Sequence, residues 1–128
     1  MALDKNSPAV KVARAHVEAW SNHDWQAAQD ALAEDVKVQV TTTGPFPPPV
    51  NTVGVDDYMA GLHAFADAVI PASMSELAAI GDERNALVLV MVDADFGMGP
   101  TTLPGARVYL LDDHGKIAHE QVVFFAGS

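Results

Sequence analysis

The spacing of apolar positions changes several times along the chain, and each change marks an element. Ser7 stands as an N-cap before Pro8, whose missing N–H is harmless at the first helical position. From there Val10, Val12, Ala13, His16, Val17, Ala19 and Trp20 fall on one half of a helical wheel, with Lys11, Arg14, Glu18 and Ser21 on the other. This predicts a helix to about Asn22 with His16 near the middle of its buried face. Asp24 can cap a second helix in which Trp25, Ala28 and Leu32 repeat at helical spacing, ending near Asp35. The period then switches to two, and Val36, Val38 and Val40 share one face of a half-buried strand. In "GPFPPPVNT" Pro45, Pro47, Pro48 and Pro49 remove backbone donors and fix φ, which predicts a semi-rigid loop at a rim. Tyr58, Leu62, Phe65 and Val69 make the stripe of a third helix from Val55 to about Ile70, stopped by Pro71.

The rest of the chain reads as strands: "SMSELAAI", the turn "GDERN", "ALVLVMVDADF", a loop "GMGPTTLPG", and the hairpin "ARVYLLDDHGKIAHEQ". Short connections favour antiparallel pairing. The order α, α, β, α, β, β, β, β makes an α+β domain over residues 1–128, a curved meander with helices covering one side. If Asp112 and Gly115 flank a two-residue loop, Arg107 lies opposite Glu120 in the hairpin. Such a pair is either a structural clasp or part of a polar site in a cavity. By parity Arg107, Tyr109, Glu120, Val122 and Phe124 share one face, and Val108, Leu110, Ile117, His119 and Val123 share the other.

Composition narrows the functions. A length of 128 residues with 49% hydrophobic content suits one domain with its own core. No cysteine is present, so disulfides, thiol nucleophiles and thiolate metal sites are excluded. With 17 acidic against 7 basic residues, the formal charge of -10 argues against nucleic acid and anionic membrane partners. The N-terminus lacks an apolar signal core and no apolar run is long enough to span a bilayer, which leads us to expect a cytoplasmic protein. The five histidines show no metal-binding spacing, and no GxGxxG, P-loop or GxSxG occurs, so neither metal nor cofactor is expected.

Three stretches, "HVEAWSNHDWQAAQDALAEDVKVQV", the "GVDDY" opening of the third helix and "VYLLDDHGKIAHEQVVFF", resemble the nuclear transport factor 2-like superfamily. It includes ketosteroid isomerases, limonene-epoxide hydrolases and polyketide-cyclase-like (SnoaL-like) proteins. The resemblance covers nearly the whole chain and implies a sheet wrapped around the third helix to form a cone with an internal pocket. It also implies a homodimer through the outer sheet face. Against the isomerases, His16 falls at the oxyanion-hole tyrosine, Arg107 at the second donor, and Val40 at the general base, so that base is not available here. Against the epoxide hydrolases, Asp93 matches one acid, while Met91 and Val122 replace the arginine and the second aspartate. Polyketide-cyclase-like members often carry an acid at that same last-strand position, again Val122 here.

The resemblance makes the Arg107 face of the hairpin the inner one. The candidate catalytic groups are then His16, Arg107 and an acid, Glu120 or Asp93. Trp20, Tyr58, Leu62, Phe65, Tyr109, Val122 and Phe124 are the candidate ligand-binding residues. The expected ligand is a mostly apolar small molecule with one or two oxygens. Alternatives stay open: a histidine on a buried helix face is often a satisfied core residue, and Asp93 with Asp95 face outward by the isomerase alignment but inward by the hydrolase one. The functional reading is a cofactor-independent isomerase, cyclase or hydrolase. Its competitor is a dimeric ligand-binding or interaction domain without chemistry.

Overall fold

The computed structural model describes residues 3–42 and 50–124. The four prolines of the expected rim loop lie outside these residues. Helix α1 spans Pro8–Ser21, with Ser7 Oγ accepting from the Val10 amide at 3.3 Å, as the N-cap signal required. Helix α2 covers Trp25–Asp30, with Asp24 Oδ1 accepting from the Ala27 amide at 3.2 Å. It is shorter than its periodicity suggests, because the chain enters strand β1 (Leu32–Thr42) directly. Tertiary pairing overrides helical spacing here: the Ile117 amide donates to the Ala31 carbonyl at 2.8 Å, and Lys116 Nζ donates to the Asp30 carbonyl. His23 stacks on the Trp25 ring at a centroid separation of 5.1 Å, and His63 meets the same ring, tilted, at 4.1 Å.

After β1 comes a strand that the sequence did not announce, β2 (Val50–Val53), at the end of the Pro-rich segment. It is an edge strand, where a preceding run of prolines does no damage to the ladder. Gly54, at φ 99°, turns the chain into helix α3 (Val55–Ala66), and its amide donates to the Val36 carbonyl at 2.8 Å. That contact sets the start of α3 against the sheet and so fixes Tyr58, one turn in. The helix ends before the expected Ile70. Residues 67–70 instead bond to a strand: the Ile70 amide donates to the Asp93 carbonyl at 2.8 Å and the Asp95 amide to the Ala68 carbonyl at 2.9 Å.

Strands β3 (Ser75–Gly81), β4 (Asn85–Asp95), β5 (Pro100–Leu111) and β6 (Ile117–Phe124) form the expected antiparallel meander. The six strands run in the order β2-β1-β6-β5-β4-β3, and β1 lies parallel to β6. Strand β5 takes in "PTTLPG", two thirds of the expected loop. Pro104 is tolerated there because, among the described residues, β5 meets β6 only from Gly105 onward, leaving Pro104 with β4 as neighbour. The curved sheet packs α1 against β3, β4 and β5, and α3 against β1 and β2. The core between them includes Val10, Val17, Trp20, Val36, Tyr58, Val88, Val92 and Tyr109.

The hairpin register differs from the expected one. The turn closes between Asp112 and Lys116 instead of Asp112 and Gly115, and a bulge between Leu110 and Leu111 shifts the pairing once more, so that Arg107 pairs with Val122 and Tyr109 with Glu120. Arg107 and Glu120 are thus diagonal neighbours on one face, and they form no ion pair; the clasp reading is excluded. The same bulge turns Ile117 inward, where it is fully buried, although parity had placed it outside. Val108, Leu110 and Val123 do face outward.

Gly81 closes the β3–β4 turn against the N-terminal segment, exchanging backbone hydrogen bonds with Asp4 at 2.8 and 3.0 Å. A Cβ at this position would collide with the Asn85 carbonyl and sit 3.0 Å from Val10 Cγ2. Gly81→Ala should therefore cost about 2 kcal/mol of stability through overpacking, measured by urea unfolding. A loss within about 0.5 kcal/mol of zero would mean that the turn shifts freely.

Candidate functional site

Between α3 and the concave face of β1, β2, β5 and β6 lies a cavity of about 290 Å³. Its wall is mostly apolar: Val38, Val40, Leu62, Ala64, Phe65, Phe96, Val122 and Phe124. The polar groups in it are Thr52, Tyr58, Arg107 and Glu120. Period-two alternation explains the sheet contribution, since Arg107 on β5 and Glu120, Val122 and Phe124 on β6 point the same way. Helical spacing explains Tyr58, Leu62 and Phe65.

Seven of the residues singled out from the sequence therefore meet at the cavity: Arg107, Glu120, Tyr58, Leu62, Phe65, Val122 and Phe124. Four do not. Asp93 lies on the outer side of β4 with Leu87, where its carboxylate accepts from Thr102 Oγ1 at 2.8 Å, so it has no access to the cavity. The alternation of β4 decides this: Val90, Val92 and Ala94 occupy the inner face. His16, Trp20 and Tyr109 are fully buried behind the wall rather than in it. His16 reaches the cavity through an intermediary. Its Nε2 lies 2.8 Å from the Tyr58 hydroxyl, and that hydroxyl donates to Glu120 Oε1 at 2.7 Å. Thr52 and Phe96 went unnoticed in the sequence, Thr52 because its segment reads as a loop and Phe96 because it follows the end of a strand.

Proton bookkeeping in this chain is tight. The Ala28 carbonyl can only accept, so His16 Nδ1, 2.9 Å away, carries a proton. Burial disfavours the imidazolium and lowers the His16 pKa; the Glu120 carboxylate opposes this and Arg107 reinforces it. A neutral His16 then has no proton on Nε2. The single phenolic proton of Tyr58 must serve two contacts, because burial first and the Glu120 charge second push the phenol pKa well up. With Glu120 as a carboxylate the chain is one proton short. A proton delivered to Glu120 would let the carboxyl donate to Tyr58 and Tyr58 donate to His16, satisfying both contacts with no movement of heavy atoms.

Glu120 Oε2 is buried and lacks a hydrogen-bond partner. The Tyr109 hydroxyl lies near the same carboxylate, whose charge adds to burial in raising its pKa, yet it makes no well-formed hydrogen bond. Thr52 Oγ1 is likewise buried and unpartnered. Arg107 is 4% exposed, its guanidinium 4.7 Å from the Trp20 ring centroid and 5.2 Å from that of Phe124. Gly105 leaves room for it: a Cβ there would lie 3.3 Å from Arg107 Nη1. Among the described residues, no group of three His, Asp or Glu side chains could hold a metal ion.

The SnoaL-like domain model matches residues 13–120, most of the chain and all of the elements that build this cavity except the end of β6. The chain belongs to the SnoaL-like family. Solved structures with the same fold include a protein from Kribbella flavida, 21% identical, with a TM-score of 0.74 over 89% of this chain and 84% of the other. An LEH-like epoxide hydrolase of M. tuberculosis is 17% identical, with a TM-score of 0.69 over 91% and 82% of the two chains. A protein named as a SnoaL-like polyketide cyclase from Shewanella denitrificans is 10% identical, with a TM-score of 0.69 over 91% and 89%. No curated protein matches the sequence. At these identities the likeness establishes the fold and leaves the chemistry to the residues. No helix among the described residues is long and apolar enough to cross a membrane.

The SnoaL-like chain's His16 gives a pH signature. Its folded pKa is lowered, so the unfolded chain binds the proton more readily and stability falls as pH drops through the ordinary histidine value near 6.5. Urea unfolding at pH 7.5 and 5.5 should show a loss of about 1 kcal/mol that His16→Gln lacks. Stability that instead rises toward pH 5.5 would show that the folded relay already holds the third proton.

Proposed function

We propose that this SnoaL-like protein is a cytoplasmic, cofactor-independent enzyme of isomerase, cyclase or hydrolase type, moving a proton on an apolar carbonyl, enol or epoxide substrate. The observation that carries the reading is the relay His16–Tyr58–Glu120, which ends on a buried, unpartnered carboxylate oxygen of a residue that lines an apolar cavity. Glu120 is the general base: its protonation completes two hydrogen bonds that the resting chain cannot complete together. Tyr58 and His16 are positioning residues that carry the adjustment away from the cavity. Arg107 faces the developing negative charge on a substrate oxygen, with apolar walls keeping the local dielectric low. A filled cone with every polar group bonded internally would have favoured a domain without chemistry. The partnerless Glu120 Oε2 and Thr52 Oγ1 support the enzyme instead.

Exchange of α-protons into D₂O, followed by NMR on apolar ketones such as 2-tetralone, tests proton transfer without knowledge of the natural substrate. The wild type should accelerate exchange, and Glu120→Gln should lower that rate by about 10²-fold or more. Equal rates for the two proteins would remove Glu120 as the base. Because Glu120 borders a cavity that water can enter, the same substitution should cost about 1 kcal/mol of stability.

A homodimer through the outer sheet face belongs to the same proposal. Leu87 and Val108, 43% and 44% exposed, are paired across β4 and β5, and Leu110 and Val123 extend the apolar patch. Light scattering at micromolar concentration should give twice the monomer mass, and Leu87→Glu with Val108→Glu should return the monomer. A monomeric wild type would overturn the assembly.

A further inference from the structure

Arg107 poses a question that a general oxyanion donor does not fully answer. Arg107 is 4% exposed as a residue, its guanidinium carries five N–H donors in a fixed fork, and among the described residues no carbonyl, hydroxyl or carboxylate accepts from it. The Trp20 and Phe124 rings attract the charge but provide no acceptor lone pair in its plane. Glu120, among the described residues the one carboxylate lining the cavity, makes no ion pair with it, and one of its oxygens is already taken by Tyr58. A buried charge left in this state is expensive, and the compensation has to come from something that enters the cavity.

We propose that the cavity binds a compact apolar monocarboxylate whose two oxygens take the fork of Arg107. The planar fork matches a carboxylate in bidentate geometry, which a lysine would not. A single cation in a protein of net charge -10 suits one negative charge and leaves a phosphate dianion half neutralised. The rest of the ligand meets Val38, Val40, Leu62, Phe65 and Val122, so it is hydrocarbon. A volume of about 290 Å³ lies at the small end of ligand pockets and admits one ring with a short side chain, or a short alkyl chain. The inference deepens the proton-transfer reading and rests on it for the cavity as the ligand site; the carboxylate orients the substrate while Glu120 works on a neighbouring carbon or oxygen.

Isothermal titration calorimetry with cinnamate and octanoate, each against its neutral amide, tests the assignment on the intact protein. At least one carboxylate should bind at least tenfold more tightly than its amide. Arg107→Met should abolish the preference, and Arg107→Lys, which keeps the charge without the fork, should retain part of it. Glu120→Gln should keep the preference. Thermal melts of each variant establish that it is folded. Amides that match their carboxylates, a preference that survives in folded Arg107→Met, or no carboxylate binding at millimolar concentration would each overturn the inference. So would loss of the preference in Glu120→Gln. The two readings fail separately: amides binding as well as acids would leave Glu120-dependent exchange intact, whereas acids held by Arg107 with no such exchange would leave a carboxylate-binding protein without chemistry.

Discussion

One hydroxyl group ties this molecule's fold to its chemistry. Tyr58 on α3 meets His16 of α1 on one side and Glu120 of β6 on the other, so three elements distant in sequence share one buried polar junction. Burying an imidazole, a phenol and a carboxyl together is costly unless their hydrogen bonds close on one another. The fold makes closure possible at two points. Gly54 anchors the start of α3 to the Val36 carbonyl, and the Ala28 carbonyl of α2 takes the His16 Nδ1 proton. What cannot close is the proton count: the one Tyr58 proton faces two acceptors, His16 Nε2 and Glu120 Oε1.

Arg107 belongs to the same cavity through a different interaction. Its charge is held against aromatic faces and is not paired, so the cavity contains a cation and a carboxylate that do not neutralise each other. Direct pairing would have produced an inert structural bridge. The Asp112–Lys116 turn and the β5–β6 bulge prevent it by placing Glu120 opposite Tyr109 and Arg107 opposite Val122. The longer turn and the bulge together thus separate the two charged groups and leave them unpaired with each other.

Period-two and helical spacing carried most of the architecture: α1 with its cap, the meander, and the inward set Arg107, Tyr109, Glu120, Val122 and Phe124 were legible from residue spacing and family resemblance. Long-range pairing was not. The parallel β1–β6 contact shortens α2, bonds to β4 shorten α3, and β2 emerges beside a run of prolines, none of which local propensity encodes. The hairpin register failed because the turn closes at Lys116 rather than Gly115 and because a turn sequence does not announce a bulge. His16 was correctly placed on a buried face, but the intervening Tyr58 hydroxyl, which makes it a supporting group, depends on where α3 sits. Asp93 was undecided between two alignments and is settled by the alternation of β4, which turns it outward.

The relay depends most directly on the protonation of His16 in the resting protein. Long-range ¹H–¹⁵N correlation of the histidine rings at pH 7.5, with His16 assigned through His16→Gln, reads each ring nitrogen separately. The predicted result is a neutral ring with its proton on Nδ1 and none on Nε2. A ring protonated on both nitrogens would contradict it, because the relay would then already be full and Glu120 would have no unmet hydrogen bond to gain by accepting a proton.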